Sequence, residues 1–194
     1  MRNKGRGDMG KRFISTIAVA ICLASLVMGC STHLVPSEIP RLDTKTEGLA
    51  GPFNNIAVTL VNAQADDSNY SVKDWKGRNT GYLLSRKLWT EKLAGALGAE
   101  LTARQGKVVG RAPVTLSLKI TEVTYPRHVY GKVYFDATAS VTSNSGWTKT
   151  YVGTGDAATV GSAGWNRAAN WTITNVVRAI MSDPEFTAVL RRQK

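Results

Sequence analysis

The sequence predicts an α+β domain: an antiparallel sheet of about four strands, in the order β-α-β-β-β-α, with two helices packed on one face. Two stretches place apolar residues at the 3.6-residue helical period. Separate runs alternate apolar and polar residues at strand length, with turn residues between them. No segment repeats, so a solenoid or propeller is excluded.

The chain opens with Arg2, Lys4, Arg6, Lys11 and Arg12 against a single acid, Asp8, and then runs uncharged from Phe13 to Met28. That run of about 16 residues is shorter than the 18 or more that cross a bilayer and fits the core of an export signal. Met9 is an alternative start, because Lys11 and Arg12 alone supply an adequate basic region after it. The apolar run closes on Leu26-Val27-Met28-Gly29-Cys30, which resembles the lipobox of bacterial lipoproteins, with Met28 where a small residue is usual. In that class the leader is removed and the cysteine is acylated to become the new N-terminus, so residues 1–29 are expected to be a signal peptide and Cys30 the lipidation site. A thiolate is nucleophilic enough for that acyl transfer. Each buried methylene then contributes about 0.8 kcal/mol, and more than one chain anchors stably.

From Cys30 to Pro52 the sequence is polar, with prolines at 36, 40 and 52, and reads as a flexible tether of residues 30–52 with a reach of about 25 Å. Residues 53–194 are expected to form a single domain. Asn55–Asn62 is a short β-branched run, expected as a strand buried on nearly both faces. Gln64 to Asn79 is polar and reads as a long loop or irregular hairpin. From Tyr82 to Gln105 the residues Leu83, Thr90, Leu93, Ala94, Leu97 and Leu101 share a helical face, with Glu100 among the residues outside it. Gly95 and Gly98 suggest close approach to a neighbour, and Gly106 a stop.

Val114, Leu116, Leu118 and Ile120 alternate with Thr115, Ser117, Lys119 and Thr121, which buries one face of a strand. At Glu122 the phase slips, predicting a bulge or the edge of the sheet. The strand through Val133, Phe135, Ala137, Ala139 and Val141 and the one from Trp147 to Thr159 complete an antiparallel meander. Trp165, Ala169, Ile173, Val176 and Ile180 then form the second helix, and Ser182-Asp-Pro-Glu185 starts a short one with Asp183 as cap and Pro184 at its first position.

Chemistry is sparse. The two histidines, His33 and His128, stand apart from any cysteine or paired carboxylate at metal-ligand spacing, so no metal site is expected. Gly153-Thr-Gly155 lacks the lysine and helix of a phosphate loop, and no cofactor motif is present. Asp66, Asp67 and Asp74 fall in the polar segment, while Glu122 and Asp136 sit singly in strands, with no pair that would serve a hydrolase. Trp165 fits the buried face of its helix. Trp171 falls opposite, and Trp75 and Trp89 lie partly outside the core pattern, where exposed aromatics can mark a binding patch.

The formal net charge is +11. Removing the leader's five basic residues and one acid leaves twenty against thirteen, about +7. Behind an export signal nucleic acid is not an expected partner, and an envelope protein, peptidoglycan or anionic lipid fits a basic surface better. The basic residues are scattered, as on an ordinary solvated surface. With Cys22 removed and Cys30 acylated, no disulfide is available to the mature domain.

The stretches NNIAVTLVNAQADD, EKLAGALGAELTARQG, VTLSLKITEV and TNVVRAIMSDPEFTAVLRRQ resemble the YajG-like family of uncharacterised outer-membrane lipoproteins. The resemblance implies a periplasmic α+β domain without established activity, and Ser31 after the cysteine implies the outer membrane. The leading expectation is a non-enzymatic lipoprotein that binds an envelope partner. An auxiliary lipoprotein of a lipid or solute transporter, and a peptidoglycan-acting enzyme, are the alternatives.

Overall fold

The computed structural model describes residues 32–43, 49, 51–74, 76–125, 131–158 and 161–192, and one compact unit begins at Thr32. Its elements are β1 (Thr32–His33), β2 (Ala57–Asn62), β3 (Asn69–Lys73), β4 (Asn79–Ser85), α1 (Arg86–Ala103), β5 (Lys107–Val108), β6 (Val114–Thr124), β7 (Lys132–Ser143), β8 (Thr148–Ala158), α2 (Gly161–Met181) and α3 (Pro184–Arg191). The α+β class holds, and α1 and α2 both pack on the main sheet. Two details of the expected sheet do not.

First, the main sheet has five strands in the order β5-β2-β6-β7-β8 and is mixed. β2 runs parallel to β6, with Val58 beside Val114 and Asn62 beside Leu118, while β6, β7 and β8 form the expected antiparallel meander. A hairpin and an 18-residue helix separate β2 from β6, enough chain for a crossover that brings β6 in alongside β2 in the same direction. Second, the polar segment adds strands to the count: of the two readings it is the irregular hairpin, with a register shift between Ser71 and Lys73. β3 and β4 pair antiparallel, and β1 adds to β4 to make a small sheet of order β1-β4-β3.

The meander behaves as its alternation predicts. Leu116, Leu118, Ile120, Val133, Phe135, Ala137, Ala139 and Val141 are buried, and the register shifts between Ile120 and Glu122. β2 is covered on one face only: Val58 is buried whereas Val61 is 39% exposed. On β8 the buried positions include Gly153 and Gly155, where α2 lies directly on the strand. A Cβ on Gly153 would stand 2.6 Å from the Thr172 carbonyl oxygen, and one on Gly155 would meet the Ala168 carbonyl.

α1 starts later than its period suggests, because Tyr82 to Ser85 belong to β4. Ser85 ends the strand and caps the helix, its Oγ accepting from the Leu88 amide at 3.2 Å. At the other end Gln105, not Gly106, takes the left-handed conformation, with φ 68°. The Gly106 amide donates to Leu101 O at 2.9 Å and the Gln105 amide to Thr102 O at 3.0 Å, the pair of bonds of a Schellman ending. Gly98 does face a neighbour, a Cβ there lying 3.3 Å from Leu60, whereas Gly95 faces open space.

The largest departure is the segment expected to be a free tether. Residues 32–42 form a strap lying along α1 and α2. Leu34 and Leu42 are 1% and 5% exposed, and burying each contributes about 2 kcal/mol. The strap's backbone is held as well. Leu34 N donates to Leu83 O at 2.8 Å, Leu34 O accepts from the Trp89 indole at 2.9 Å, Ser37 N donates to Asn170 at 2.8 Å, and Pro40 O accepts from Thr174 at 3.1 Å. Leu42 N reaches the Glu100 carboxylate at 3.0 Å, which explains why Glu100 is buried.

Candidate functional site

Aromatic rings from four elements meet beside β1. Tyr82 of β4 stacks on Trp165 of α2 with centroids 4.2 Å apart and planes at 24°. Tyr125, directly after β6, lies 5.3 Å from Trp165, and Phe135 of β7 lies 5.5 Å from it edge-on. Burial raises the phenol pKa of both Tyr82 and Tyr125, and the negative charge of Asp74 raises Tyr125 further. Both tyrosines stay neutral, and Tyr82 and Trp165 are half-exposed: apolar faces with a polar rim.

The turn from β3 to β4 reaches the same end of the molecule. Asp74 organises it, accepting from the amides of Lys76 at 2.9 Å and Arg78 at 2.8 Å and from the Arg78 guanidinium at 2.8 Å. Burial alone would raise the Asp74 pKa, but these bonds hold it below the ordinary carboxylate value. Lys73, Lys76, Arg78 and Lys132 are exposed here, with Lys132 3.3 Å from Asp156.

The opposite end carries a polar cluster. Asp183, 8% exposed, caps α3 by accepting from Glu185 N at 3.0 Å. It also accepts from the Tyr151 hydroxyl at 2.5 Å and Lys149 at 3.1 Å. Burial pushes the Asp183 pKa up, but the bonds from Tyr151 and Lys149 more than offset it and leave it lowered. Burial and the Asp183 bond raise Tyr151 strongly, and the same carboxylate raises Lys149. Each group has a structural partner.

The sequence candidates disperse. Cys30, Trp75 and His128 lie outside the described residues. His33 is exposed on β1. Asp66 and Asp67 are exposed in the loop before β3, Asp67 3.4 Å from Lys87, and burial is absent at Glu122 on the bulge. Asp136 accepts from Thr154 at 2.6 Å across the outer sheet face. Among the described residues no three His, Cys, Asp or Glu gather as metal ligands. Trp89, expected to be partly outside the core, is 0% exposed and lies edge-on to Phe135 at 6.3 Å. Trp171 is 38% exposed and borders a hollow of ≈ 410 Å³ with Ser37, Glu38 and Arg167. The grouping of Tyr82 and Tyr125 with Trp165 was missed. Their separation along the chain gave no local signal; only the half-polar character of the rings pointed to a surface.

No family model matches the chain and no curated protein matches it. Among solved structures it is similar to protein XCC0632 from Xanthomonas campestris, a DUF330 protein, at 11% identity and TM-score 0.52, over 84% of this chain and 100% of that one. A second, uncharacterised protein aligns at 12% identity and TM-score 0.41, over 76% of this chain and 97% of its own. A PelC dodecamer from Paraburkholderia phytofirmans aligns at 17% identity and TM-score 0.33, over 73% of this chain and 92% of that one. What the first of these shows is a fold: the chain is built on the same α+β architecture as a DUF330 protein.

Proposed function

We propose that the chain is a lipid-anchored outer-membrane lipoprotein of the YajG-like kind, facing the periplasm and serving, without enzymatic activity, as a binding or structural component of the envelope. The observation that carries this reading is the place of Cys30. It ends the lipobox-like run and precedes by two residues the point where the compact unit begins. The unit itself contains no cysteine. Acylation needs a reactive thiol, and Cys30 is the cysteine that the lipobox-like run supplies. Among the described residues no helix is long and apolar enough to cross a membrane.

The test is Cys30→Ala with palmitate labelling. The expected result is an unlabelled precursor that retains its leader; label persisting in the variant, or a native protein that begins at its initiator methionine without fatty acid, overturns the reading. The transporter-auxiliary alternative has one observation in its favour, an open apolar hollow of ≈ 490 Å³ over α1 and β5, lined by Leu60, Ala94, Gly98, Ala103 and Val108. It lies where α1 meets β2 and β5, beside the contact of Gly98 with Leu60. The seam between α2 and β8 is closed by the contact at Gly153 and Gly155. Mass spectrometry of lipid co-purified with the protein distinguishes the two readings.

A further inference from the structure

The strap changes what a lipid at Cys30 would do. A free tether of residues 30–52 would let the domain stand about 25 Å off the bilayer and tumble. Instead the chain enters the fold at Thr32, which pairs with Tyr82 of β4. Two peptide units join Cys30 to Thr32, so their Cα atoms are at most about 7 Å apart.

That reach selects one end of the molecule. Tyr82 stacks on Trp165, which touches Tyr125 at the end of β6, and Asp74 of the β3–β4 turn acts electrostatically on Tyr125. Lys132 opens β7 at the same end, and Ser143 closes that strand at the other. Twelve residues of strand span about 37 Å. Exposed lysine and arginine occur at both ends, Arg111 among them at the far one, so charge by itself does not choose. Distance does: attraction to anionic headgroups decays over about 8 Å at physiological ionic strength. Lys73 and Lys76, with Arg78 and Lys132 paired to Asp74 and Asp156, stand at the end where the chain enters, and the far end of β7 lies several such lengths away. The half-exposed Tyr82–Trp165 pair has the amphipathic character of rings that settle at headgroup depth.

We propose that the end of the domain formed by the start of β1, the β3–β4 turn, Lys132 and the Tyr82–Trp165 pair rests against the headgroups of an anionic bilayer leaflet. This deepens the lipid-anchor reading and rests on it. The far end, with the β7–β8 turn, then points away from the membrane.

The experiment uses the full chain, exported and processed, reconstituted into phosphatidylethanolamine–phosphatidylglycerol vesicles that contain headgroup-nitroxide lipid. Acylation would consume Cys30, so a fluorophore placed by Lys76→Cys, Lys132→Cys or Ser145→Cys is the sole label. Quenching several-fold stronger at positions 76 and 132 than at 145 is the expected result, and two near-end variants guard against one that folds poorly. A flexible ten-residue insertion between Ser31 and Thr32 should remove most of the difference. Equal quenching at both ends, or stronger quenching at 145, overturns the orientation while leaving the anchor standing. The mass of the N-terminal peptide from the same preparation separates the two failures: Cys30 without acyl chains overturns the anchor reading and the orientation together.

Discussion

Asp183 shows how much one carboxylate can organise: it caps α3, accepts the Tyr151 hydroxyl and pairs with Lys149. Replacing it with alanine removes a helix cap, worth about 1 kcal/mol. It also strands a buried hydroxyl, at a cost of about 1–3 kcal/mol. A loss of about 3 kcal/mol is expected, which for a domain of this size lowers Tm by about 9 °C; calorimetry or thermal circular dichroism measures it. The pH dependence has two limbs of defined sign. The Asp183 pKa is depressed in the fold, so its contribution is present above its ordinary value of 3.8 and is lost as pH falls below that. Tyr151 is raised, so its contribution is present below 10.0 and fades as pH rises beyond it. Asp183→Asn should flatten the acid limb and Tyr151→Phe should weaken the alkaline one, read as Tm against pH.

The glycines of α1 and β8 carry opposite expectations at the scale of the element. A Cβ at Gly95 meets nothing within 4 Å, so Gly95→Ala removes a helix-interior glycine without cost elsewhere and should raise stability by about 0.5–1 kcal/mol. Gly153→Ala would drive a methyl into the backbone of α2 at Thr172 and Val176, and a loss of about 3 kcal/mol or more is expected. Urea unfolding of the two variants beside the parent checks both signs. The same elements show what a single sequence reveals. The meander was legible down to its bulge, because alternation at Leu116, Leu118 and Ile120 reports a face that is buried over many residues. The cap at Asp183 was legible because capping is chemistry within a few positions. β3 and β4 were legible only as far as the choice between a loop and an irregular hairpin, because apart from the buried Val72, Leu84 and Ser85 their residues carry little apolar pattern, and the parallel pairing of β2 with β6 is a property of the crossover that no local window contains. Glu100 looked solvent-facing because its partners, Leu42 N at 3.0 Å and Arg104 at 3.7 Å, come from the strap and from the helix end.

Across the whole molecule the strap is the third layer over helices and sheet, and its amides should behave as core amides. Hydrogen exchange is expected to be slow at Leu34 and Leu42, whose N–H groups are bonded to Leu83 O and Glu100, and fast at Gly110, on the exposed approach to β6. Exchange at Leu34 and Leu42 as fast as at Gly110 would mean the strap is undocked in solution. The aromatic group beside β1 was illegible for the same reason as the strap: Tyr82, Tyr125 and Trp165 are brought together only by the packing of distant elements, and prolines at 36 and 40 with few apolar neighbours read as linker until Leu34 and Leu42 are seen against Trp89 and Glu100. The strap also orders events in time. Ser37 is bonded to Asn170, 133 residues later, and Pro40 to Thr174, 134 later. A polypeptide that emerges from its N-terminus therefore presents the first piece of the fold long before the helix that receives it has been made, so closing this long loop completes assembly rather than starting it.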